Sequence, residues 1–365
     1  MRPKSEIRVA IAMSGGVDSS TAAALLKAEG YSVFGVTMRL PQADEYRESS
    51  ASCDEAVSEI RDARKTADIL GIQHIVADLR KEFREQIIAY FCDEYQQGRT
   101  PNPCVLCNPQ IKFGRLFEEA HKHGAERLAT GHYVNIDYLP GSKRYALRTA
   151  ENRAKDQSYF LYRLTQEQLA RSIFPLAGLT KDAIRQKARA AGLAHVAEKA
   201  ESQENCFIGD RGYQNFLKAH LPPASQRRGP IVDTQGNVLG EHEGIHLYTI
   251  GQRRGLGIAL GGPRYVVDIR PDSNTLVIGE NHELFTSEFL VHSVNWMSLP
   301  GLTEAMECRV KIRYRSIAAP AVIMPGGHSD EVNVIFQQPQ RAVTRGQSAV
   351  FYDNDTVIGG GIIAR

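Results

Sequence analysis

The chain has 365 residues, of which 42% are hydrophobic and 24% charged, and this is enough sequence for two or three domains with separate cores. A formal net charge of +2 excludes a globally basic protein, so any nucleic acid would have to be bound by local basic patches. Because no apolar run reaches the length of a membrane span and the N-terminus lacks a signal-peptide core, we expect a cytoplasmic protein whose six cysteines are not a disulfide framework.

The first half of the chain alternates predicted strands with predicted helices. Strands are indicated by β-prone runs at residues 7–13, 31–38, 73–78 and 127–133, and helices by periodic apolar residues at 21–27, 55–70 and 81–97. This alternation is typical of α/β domains, so we predict a Rossmann-like, parallel, doubly wound sheet. Ligands of such sheets bind beyond the carboxyl ends of the strands.

The pattern changes after residue 210, where glycine or proline turns and short β-prone runs replace the long helices. From residue 284 onward the runs become more regular and predict a small β-barrel. We therefore predict an α/β catalytic domain at residues 1–210, a small β-rich central domain at 211–283 and a C-terminal β-barrel at 284–365.

The segment Ser14–Ser20 lies between the first predicted strand and the first predicted helix. Gly15 and Gly16 can adopt positive φ and let backbone N–H groups approach an anion, and the start of the helix adds partial positive charge. Asp18 is a carboxylate at a predicted phosphate site, so it needs a cation or N–H groups as partners, and Mg²⁺ between Asp18 and a pyrophosphate would meet this need. The segment lacks the ending of a Walker A motif and resembles the PP-loop of N-type ATP pyrophosphatases, which cleave ATP to AMP and pyrophosphate.

Three cysteines lie in polar or proline-rich surroundings that indicate chemistry. Cys104 and Cys107 form a C-x-x-C in a predicted loop with Pro101 and Pro103, and Cys206 lies in a predicted polar turn. A zinc site would need a second pair of ligands at short spacing, and the prolines argue against a thioredoxin-type redox pair, which leaves sulfur transfer or iron–sulfur chemistry. We predict no chemistry for the remaining cysteines, Cys53, Cys92 and Cys308, and expect the last two to be packing residues.

The chain resembles the MnmA/TrmU family of tRNA-specific 2-thiouridylases at eight separated places. The matching segments are Ser14–Ser20, Gly98–Pro103 with Cys107–Asn108, Thr130–Tyr133, Lys155–Leu161, Ser202–Glu204 with Cys206–Phe207, Tyr248–Arg253, Arg313–Arg315 and Gly346–Val350. The resemblance covers nearly the whole length of the chain.

This resemblance implies a function. The family uses ATP and Mg²⁺ to adenylate the C2 oxygen of the wobble uridine in the tRNAs for Lys, Glu and Gln, and then replaces that oxygen with sulfur. The implied partners are tRNA, bound partly by the central domain, and a sulfur donor, either a cysteine desulfurase with its relay protein or hydrosulfide; we expect a monomer. Alternatives are another PP-loop ligase, a different tRNA sulfurtransferase, or a tRNA-binding redox sensor without enzymatic activity.

The resemblance also implies site residues. For ATP they are Ala12, Met13, Ser14, Gly15, Gly16, Val17, Asp18 and Ser19, with Met38 and Gly131 flanking the adenosine. Cys107 is the implied catalytic cysteine and Cys206 the cysteine that bears the persulfide. The target base is expected against Asn102, Pro103 and Cys104, and tRNA against His132, Lys155, Asp156, Gln157, Arg313, Tyr314 and Gln347.

Two residues depart from the family pattern. Cys104 stands where the family has an aspartate with an acid–base role, and Asn205 replaces an apolar residue before the persulfide cysteine. With Cys107 and Cys206, Cys104 would supply three thiolates, which can hold a 4Fe–4S cluster with one open iron. The competing route is attack by a Cys206 persulfide, followed by a Cys107–Cys206 disulfide. The number of thiolates fits either chemistry, and we favour the cluster by a small margin.

Overall fold

The structure, a computed structural model, describes residues 2–41, 54–199, 205–209, 212–258 and 262–364. Cys53 and the motif residues Ser202–Glu204 lie outside the described residues. The chain divides into two compact units. The first comprises Met1–Ile87, Cys104–Gly209 and Asp355–Val357, and the second Ile88–Pro103, Asp210–Asn354 and Ile358–Arg365.

The elements up to residue 129 alternate as the sequence predicts. In chain order they are β1 (Arg8–Ala12), α1 (Val17–Ala28), β2 (Ser32–Arg39), α2 (Asp54–Leu70), β3 (His74–Asp78), α3 (Arg80–Phe83), α4 (Ala89–Gln96), α5 (Pro103–Cys107), α6 (Leu116–Lys122) and β4 (Arg127–Ala129). Two π-helical segments, Arg84–Ile88 and Asn108–Arg115, join α3 to α4 and α5 to α6.

The elements from residue 134 to residue 197 complete the first unit. They are β5 (Val134–Leu139), β6 (Arg144–Thr149), α7 (Ser158–Leu161), α8 (Gln166–Ala170), β7 (Ser172–Ile173), α9 (Lys181–Ala190) and α10 (Ala194–Ala197). Strands β1 to β4 and β7 form a parallel sheet of order β3-β2-β1-β4-β7, and β5 and β6 form an antiparallel hairpin. The prediction of a parallel, doubly wound sheet is confirmed.

Strand β1 is central in this sheet, and its sequence explains why. Val9, Ala10 and Ile11 are fully buried, as expected of a parallel strand covered by helices on both faces. Ile184 of α9 and Leu26 of α1 join the same apolar core. Packing in this core therefore fixes the position of the end of β1, where the glycine loop begins.

Two local predictions were wrong. The fourth strand was expected over residues 127–133, but β4 ends at Ala129, because the chain must turn at Gly131 to pass close to α1. Cys104 and Cys107 were expected in a loop, but they lie in helix α5. Pro103 is the first residue of that helix, a position where proline needs no N–H partner and already has a helical φ.

The second unit contains two β modules. Helix α11 (Gly212–His220) precedes a four-stranded sheet made of β8 (Gly229–Val232), β9 (Val238–His242), β10 (Tyr265–Arg270) and β11 (Thr275–Gly279), in the order β10-β11-β8-β9. The buried side chains of Ile231, Val266 and Leu276 are part of its core.

The C-terminal module is the closed β-barrel that the sequence predicts. Its strands are β12 (Phe285–Trp296), β13 (Met306–Lys311), β14 (Ala319–Pro325), β15 (Val332–Arg341), β16 (Ser348–Asp353) and β17 (Thr356–Ile363). Their order is β12-β15-β14-β13-β16-β17, and pairing of β12 with β17 closes the barrel. Buried and half-buried residues alternate along Val332–Phe336, as expected of a strand with one face in the core. None of the described helices is long and apolar enough to cross a membrane.

Candidate active site

The glycine loop between β1 and α1 has the geometry of an anion site. Gly15 has a φ of +72°, and a Cβ there would lie 2.5 Å from the main-chain oxygen of Glu59, so only glycine fits. Helix α1 begins after Gly16, and no side chain caps its N-terminus. The first turn of α1 thus presents N–H groups that an anionic ligand can bind.

The carboxylate of Asp18 is held by two side chains from distant parts of the first unit. The hydroxyl of Tyr133 donates to Oδ1 at 2.6 Å, and the ammonium of Lys181 donates to Oδ1 and Oδ2 at 2.8 and 3.0 Å. The side chains of Lys181 and Asp18 are only 15% and 32% exposed. This cluster of one anion, one cation and one hydroxyl lies at the start of α1.

Lys181 was not predicted as a site residue. It is the first residue of α9, whose N-cap Thr180 accepts a hydrogen bond from the N–H of Ala183. A cation in the first turn of a helix opposes the helix dipole, so a lysine there is unfavourable unless a nearby anion compensates. A capping threonine followed by a first-turn lysine was therefore the sequence pattern that could have indicated an anion near Lys181.

Met38 lies one residue before the end of β2, and Gly131 follows β4. Strands β2 and β4 flank β1 on its two sides. A Cβ at Gly131 would lie 2.9 Å from the N atom of Ser19 and 3.0 Å from the carbonyl carbon of Asp18. The glycine therefore permits the chain after β4 to approach the start of α1.

The structure brings together the three predicted reactive cysteines. The thiol of Cys104 donates to Asn205 Oδ1 at 3.7 Å, and all three thiols are close enough to influence one another electrostatically. Phe207 packs edge-on against Phe83, with ring centroids 5.6 Å apart, and this contact anchors the turn that carries Cys206. The two departures from the family pattern, Cys104 and Asn205, are therefore in contact.

Burial suppresses the ionisation of Cys107. This thiol is buried, and burial raises its pKa well above the usual range. Burial also raises the pKa of the half-buried Cys104, and the ammonium of Lys112 opposes the shift at both thiols without overcoming it. Cys206 is exposed at the surface. In the resting protein, Cys107 is therefore a neutral thiol near pH 7.

Within the described part of the chain, which leaves out residues 200–204 before Cys206, no three His, Cys, Asp or Glu side chains are placed so that they could hold a metal ion. The thiol of Cys104 is directed to Asn205.

The residues of the first unit that are predicted to contact the base and tRNA have structural partners. Asp156 is buried and accepts hydrogen bonds from Ala150 N and Ser158 Oγ, at 3.0 and 2.7 Å. Gln157 Oε1 accepts from Tyr133 N at 3.0 Å. His132 Nδ1 lies 2.7 Å from Thr130 Oγ1, and burial lowers the pKa of His132 well below its usual value, so its ring is neutral.

Two other predicted contact residues, Lys155 and Asn102, are half-buried, whereas a third, Pro103, is buried.

The residues of the second unit that are predicted to contact tRNA also have partners within the protein. The guanidinium of Arg313 donates to the carbonyls of Arg341 and Ala342, the latter at 2.9 Å. The ammonium of Lys311 lies 5.5 Å from the ring centroid of Tyr314. Gln347 Nε2 donates to the carbonyl of Thr100 at 2.8 Å. A role of these residues in binding tRNA stays a prediction.

The other two described cysteines lie in apolar surroundings. Cys92 is buried on α4, and Cys308 packs against the core of the barrel. Burial raises their pKa values to about 11 and about 12. Their surroundings agree with the packing roles expected from the sequence.

Family models match three consecutive parts of the chain. Residues 7–210 match the tRNA methyl transferase HUP domain, residues 214–280 the tRNA methyl transferase PRC-barrel domain, and residues 286–363 the aminomethyltransferase beta-barrel domain. The matched parts follow the order of the observed modules.

Curated relatives match nearly the whole chain. The tRNA-specific 2-thiouridylase MnmA of Clostridioides difficile (strain 630) is 46% identical over 358 residues, 98% of both chains. The tRNA-specific 2-thiouridylase MnmA 1 of Caldanaerobacter subterraneus subsp. tengcongensis is 48% identical over 361 residues, again 98% of both chains. Among solved structures, the U34-tRNA thiolase NcsA from Methanococcus maripaludis with its 4Fe–4S cluster has a TM-score of 0.34 and 18% identity, covering 58% of this chain and 63% of that one. That likeness is too low to support an argument about function.

Proposed function

The chain belongs to the tRNA-specific 2-thiouridylase (MnmA) family, and we propose that it is the tRNA sulfurtransferase that converts the wobble uridine to 2-thiouridine. The observation that supports this function at the site is the Asp18–Lys181–Tyr133 cluster at the start of α1, next to a glycine loop suited to phosphate. The three cysteines of the same unit supply the sulfur chemistry.

The first step is transfer of AMP to the base. An electron pair on the uracil O2 forms a bond to the α-phosphorus, the bond from that phosphorus to the bridging oxygen breaks, and pyrophosphate leaves with the electron pair. The N3 proton of the ring is lost to water. This step turns a poor leaving group into AMP, and the loop N–H groups of α1 are placed to stabilise the phosphate charge.

Asp18 fits the Mg²⁺ that the family implies, because a carboxylate is a hard oxygen ligand and this one lies beside the phosphate loop. Bound there, Mg²⁺ would neutralise charge on the phosphates. Lys181 is then no longer needed as the counterion of Asp18. We propose that its ammonium binds the departing pyrophosphate, to which a lysine contributes as a point charge.

Sulfur transfer uses Cys206 and Cys107. The terminal sulfur of a persulfide on Cys206 is more acidic than a thiol, so it ionises more readily near pH 7 than the Cys206 thiol itself. It attacks C2 and AMP leaves. Cys107 then attacks Cys206 Sγ as its thiol proton is lost to water, which forms a Cys107–Cys206 disulfide and releases the thiolated base. A dithiol reductant restores both thiols for the next cycle.

We derive no step through an iron–sulfur cluster, because the described cysteines do not form a suitable set of ligands. Asn205 holds the Cys104 thiol at 3.7 Å, so we assign Cys104, with Asn102 and Pro103, to the wall against which the target base lies. With Cys104 in this role, water transfers the proton that the aspartate carboxylate at this position transfers in other family members.

The finer assignments complete the proposal. We propose the tRNAs for Lys, Glu and Gln as substrates, a cysteine desulfurase relay or hydrosulfide as sulfur source, a monomeric enzyme and a cytoplasmic location. The proposed domains are residues 1–210, 211–283 and 284–365, close to the three matched ranges 7–210, 214–280 and 286–363.

The test measures AMP, pyrophosphate and 2-thiouridine with tRNA, ATP, Mg²⁺ and a sulfur source. Wild-type protein should form all three products only when tRNA is present. Cys107→Ser and Cys206→Ser should still release pyrophosphate but form no 2-thiouridine, whereas the control Cys308→Ser should behave as wild type. Release of ADP instead of AMP would contradict the assignment.

Iron and sulfide analysis of anaerobically purified protein tests the sulfur route separately. Full activity of iron-free protein agrees with the persulfide route. Activity that rises and falls with bound iron, and with visible thiolate-to-iron absorbance, would refute it in favour of a cluster.

A further inference from the structure

Lys112 follows Cys107 by five residues, in the π-helical segment Asn108–Arg115 that begins where helix α5 ends. Hydrogen bonds in a π-helix join residues five apart, so Lys112 lies one turn beyond Cys107 on the same side of the segment. In an α-helix, a residue five positions further along would face a different side. The π-helical geometry therefore aligns the lysine with the catalytic cysteine.

The backbone on both sides of Lys112 is anchored within the first unit. The side-chain amide of Gln168 donates to the carbonyls of Pro109 and Phe113, at 2.7 and 3.3 Å. A Cβ at Gly114 would lie 2.9 Å from the carbonyl oxygen of Pro109, so the backbone there is closely packed. The position from which the lysine side chain extends is therefore well defined.

The ammonium of Lys112 lies within a cluster of functional side chains. Burial raises the pKa values of Cys104 and Cys107, and the charge of Lys112 opposes this effect at both thiols. Burial also lowers the pKa of His132, and the charge of Lys112 adds to that effect. Phe113, the next residue, packs against His132 with ring centroids 6.1 Å apart. The lysine is thus the cation that faces these three side chains.

This cation has no anionic partner of its own. Lys112 is half-buried, whereas its neighbours in sequence, Ile111 and Phe113, are buried. In the described part of the chain, the Lys112 ammonium forms no ion pair with a carboxylate. Withdrawing a cation from water without such a partner costs free energy. An uncompensated cation beside reactive side chains is typical of a site that an anionic ligand completes.

The sulfur-transfer step creates negative charge close to the cysteines. The persulfide sulfur forms a bond to C2, the bond between C2 and O2 breaks, and its electron pair goes to O2. That oxygen becomes a terminal phosphate oxygen, so AMP leaves with one more negative charge than its phosphate carried in the adenylated base. Because O2 alone joins this phosphate to C2, and C2 is bonded to the persulfide of Cys206, the charge develops within a few bonds of the cysteines.

Resting on the proposed function, we propose that Lys112 is a catalytic residue that binds the phosphate of AMP as it leaves C2. An interaction that strengthens as charge develops accelerates the step in which that charge appears. Lys181 is assigned to the pyrophosphate of the preceding step. The two lysines therefore serve the two leaving groups of the reaction.

The main test compares Lys112→Gln with Lys122→Gln in single turnovers with tRNA, ATP, Mg²⁺ and a sulfur source. The control removes the same charge from the end of α6, where the side chain of Lys122 is 67% exposed. Pyrophosphate release should agree within about threefold between the variants. We expect 2-thiouridine to form on the order of 100-fold more slowly in Lys112→Gln, because a preorganised charge is lost from the leaving group. Adenylated tRNA, detected with α-labelled ATP, should then accumulate in that variant.

Lys112→Arg separates the charge of the side chain from its shape. A cation remains available to the phosphate, so 2-thiouridine formation should fall less than about 10-fold. A loss as large as that of Lys112→Gln would show that the shape of the lysine is what matters, and would overturn its role as the cation at the leaving group.

Calorimetry with AMP and with adenosine supplies a readout that does not depend on activity. The Kd for AMP should be on the order of 10-fold higher in Lys112→Gln than in Lys122→Gln, because one hydrogen bond between charged groups is lost. The Kd for adenosine, which lacks the phosphate, should be the same in both variants. If wild-type protein forms no 2-thiouridine, the proposed function fails, but this comparison still tests the phosphate site.

Two further results would overturn the role of Lys112. One is an equal slowing of pyrophosphate release and 2-thiouridine formation in Lys112→Gln, which would mean that the lysine does not act at the departure of AMP. The other is an AMP affinity that is equal in Lys112→Gln and Lys122→Gln, which would show that the ammonium does not bind the phosphate.

Discussion

Lys181→Gln separates the proposed role of this lysine in catalysis from its role as a counterion. The substitution removes the hydrogen bonds of 2.8 and 3.0 Å to Asp18 and leaves the one from Tyr133 at 2.6 Å. Hydrogen bonds to charged groups contribute about 1.5–3 kcal/mol, and because Asp18 is a third exposed, we expect the free energy of unfolding to fall by about 1–2 kcal/mol. A domain of ordinary stability stays folded after such a loss.

The effect on catalysis should be larger. A preorganised cation at the leaving pyrophosphate contributes on the order of 100-fold in rate, about 2.7 kcal/mol of activation free energy. We therefore expect Lys181→Gln to slow tRNA-dependent AMP formation about 100-fold. Its Kd for pyrophosphate, measured by calorimetry with Mg²⁺, should rise on the order of 10-fold.

Lys187→Gln is the matched control, since Lys187 is exposed on the same helix, α9. It removes the same charge and should leave AMP formation and pyrophosphate binding unchanged. If Lys181→Gln loses stability but forms AMP within about threefold of this control, the lysine is only a counterion of Asp18, and the proposed catalytic role is wrong.

Two further predictions concern tRNA and the thiols. Arg315 is exposed, so Arg315→Ala should weaken tRNA binding and lower its salt dependence, whereas Arg313→Ala should mainly lower the melting temperature because it removes hydrogen bonds to main-chain carbonyls. Equal salt slopes for Arg315→Ala and wild type in filter-binding titrations would refute the contact. Cys206 is exposed, whereas Cys107 is buried and its pKa is raised, so alkylation at about pH 8, followed by mass spectrometry, should modify Cys206 much faster than Cys107. Equal rates at the two thiols would refute the suppressed ionisation of Cys107.

The sequence by itself determined what depends on short-range patterns. The glycine loop could be predicted because the positive φ of Gly15 and the start of α1 are local properties of consecutive residues. The parallel sheet could be predicted because apolar runs such as Val9–Ile11 alternate with helical patterns. The β-rich second half could be predicted in the same way, from its short β-prone runs separated by turns.

The same local reasoning was misleading where a long-range contact competes with it. The run at residues 127–133 has the composition of a strand, but the close approach of Gly131 to Ser19 ends β4 at Ala129. The prolines around Cys104 suggested a loop, although Pro103 is also an acceptable first residue of a helix.

Only the tertiary structure decided which polar groups meet. Lys181 is 163 residues from Asp18, Asn205 is 101 residues from Cys104, and Gln347 is 247 residues from Thr100. A local pattern can place each residue on a helix, strand or turn, but it cannot fix such pairings, because they depend on how separate elements pack. For the same reason, the suppressed ionisation of Cys107 was invisible in the sequence: it arises from burial among residues that only the folded chain brings together.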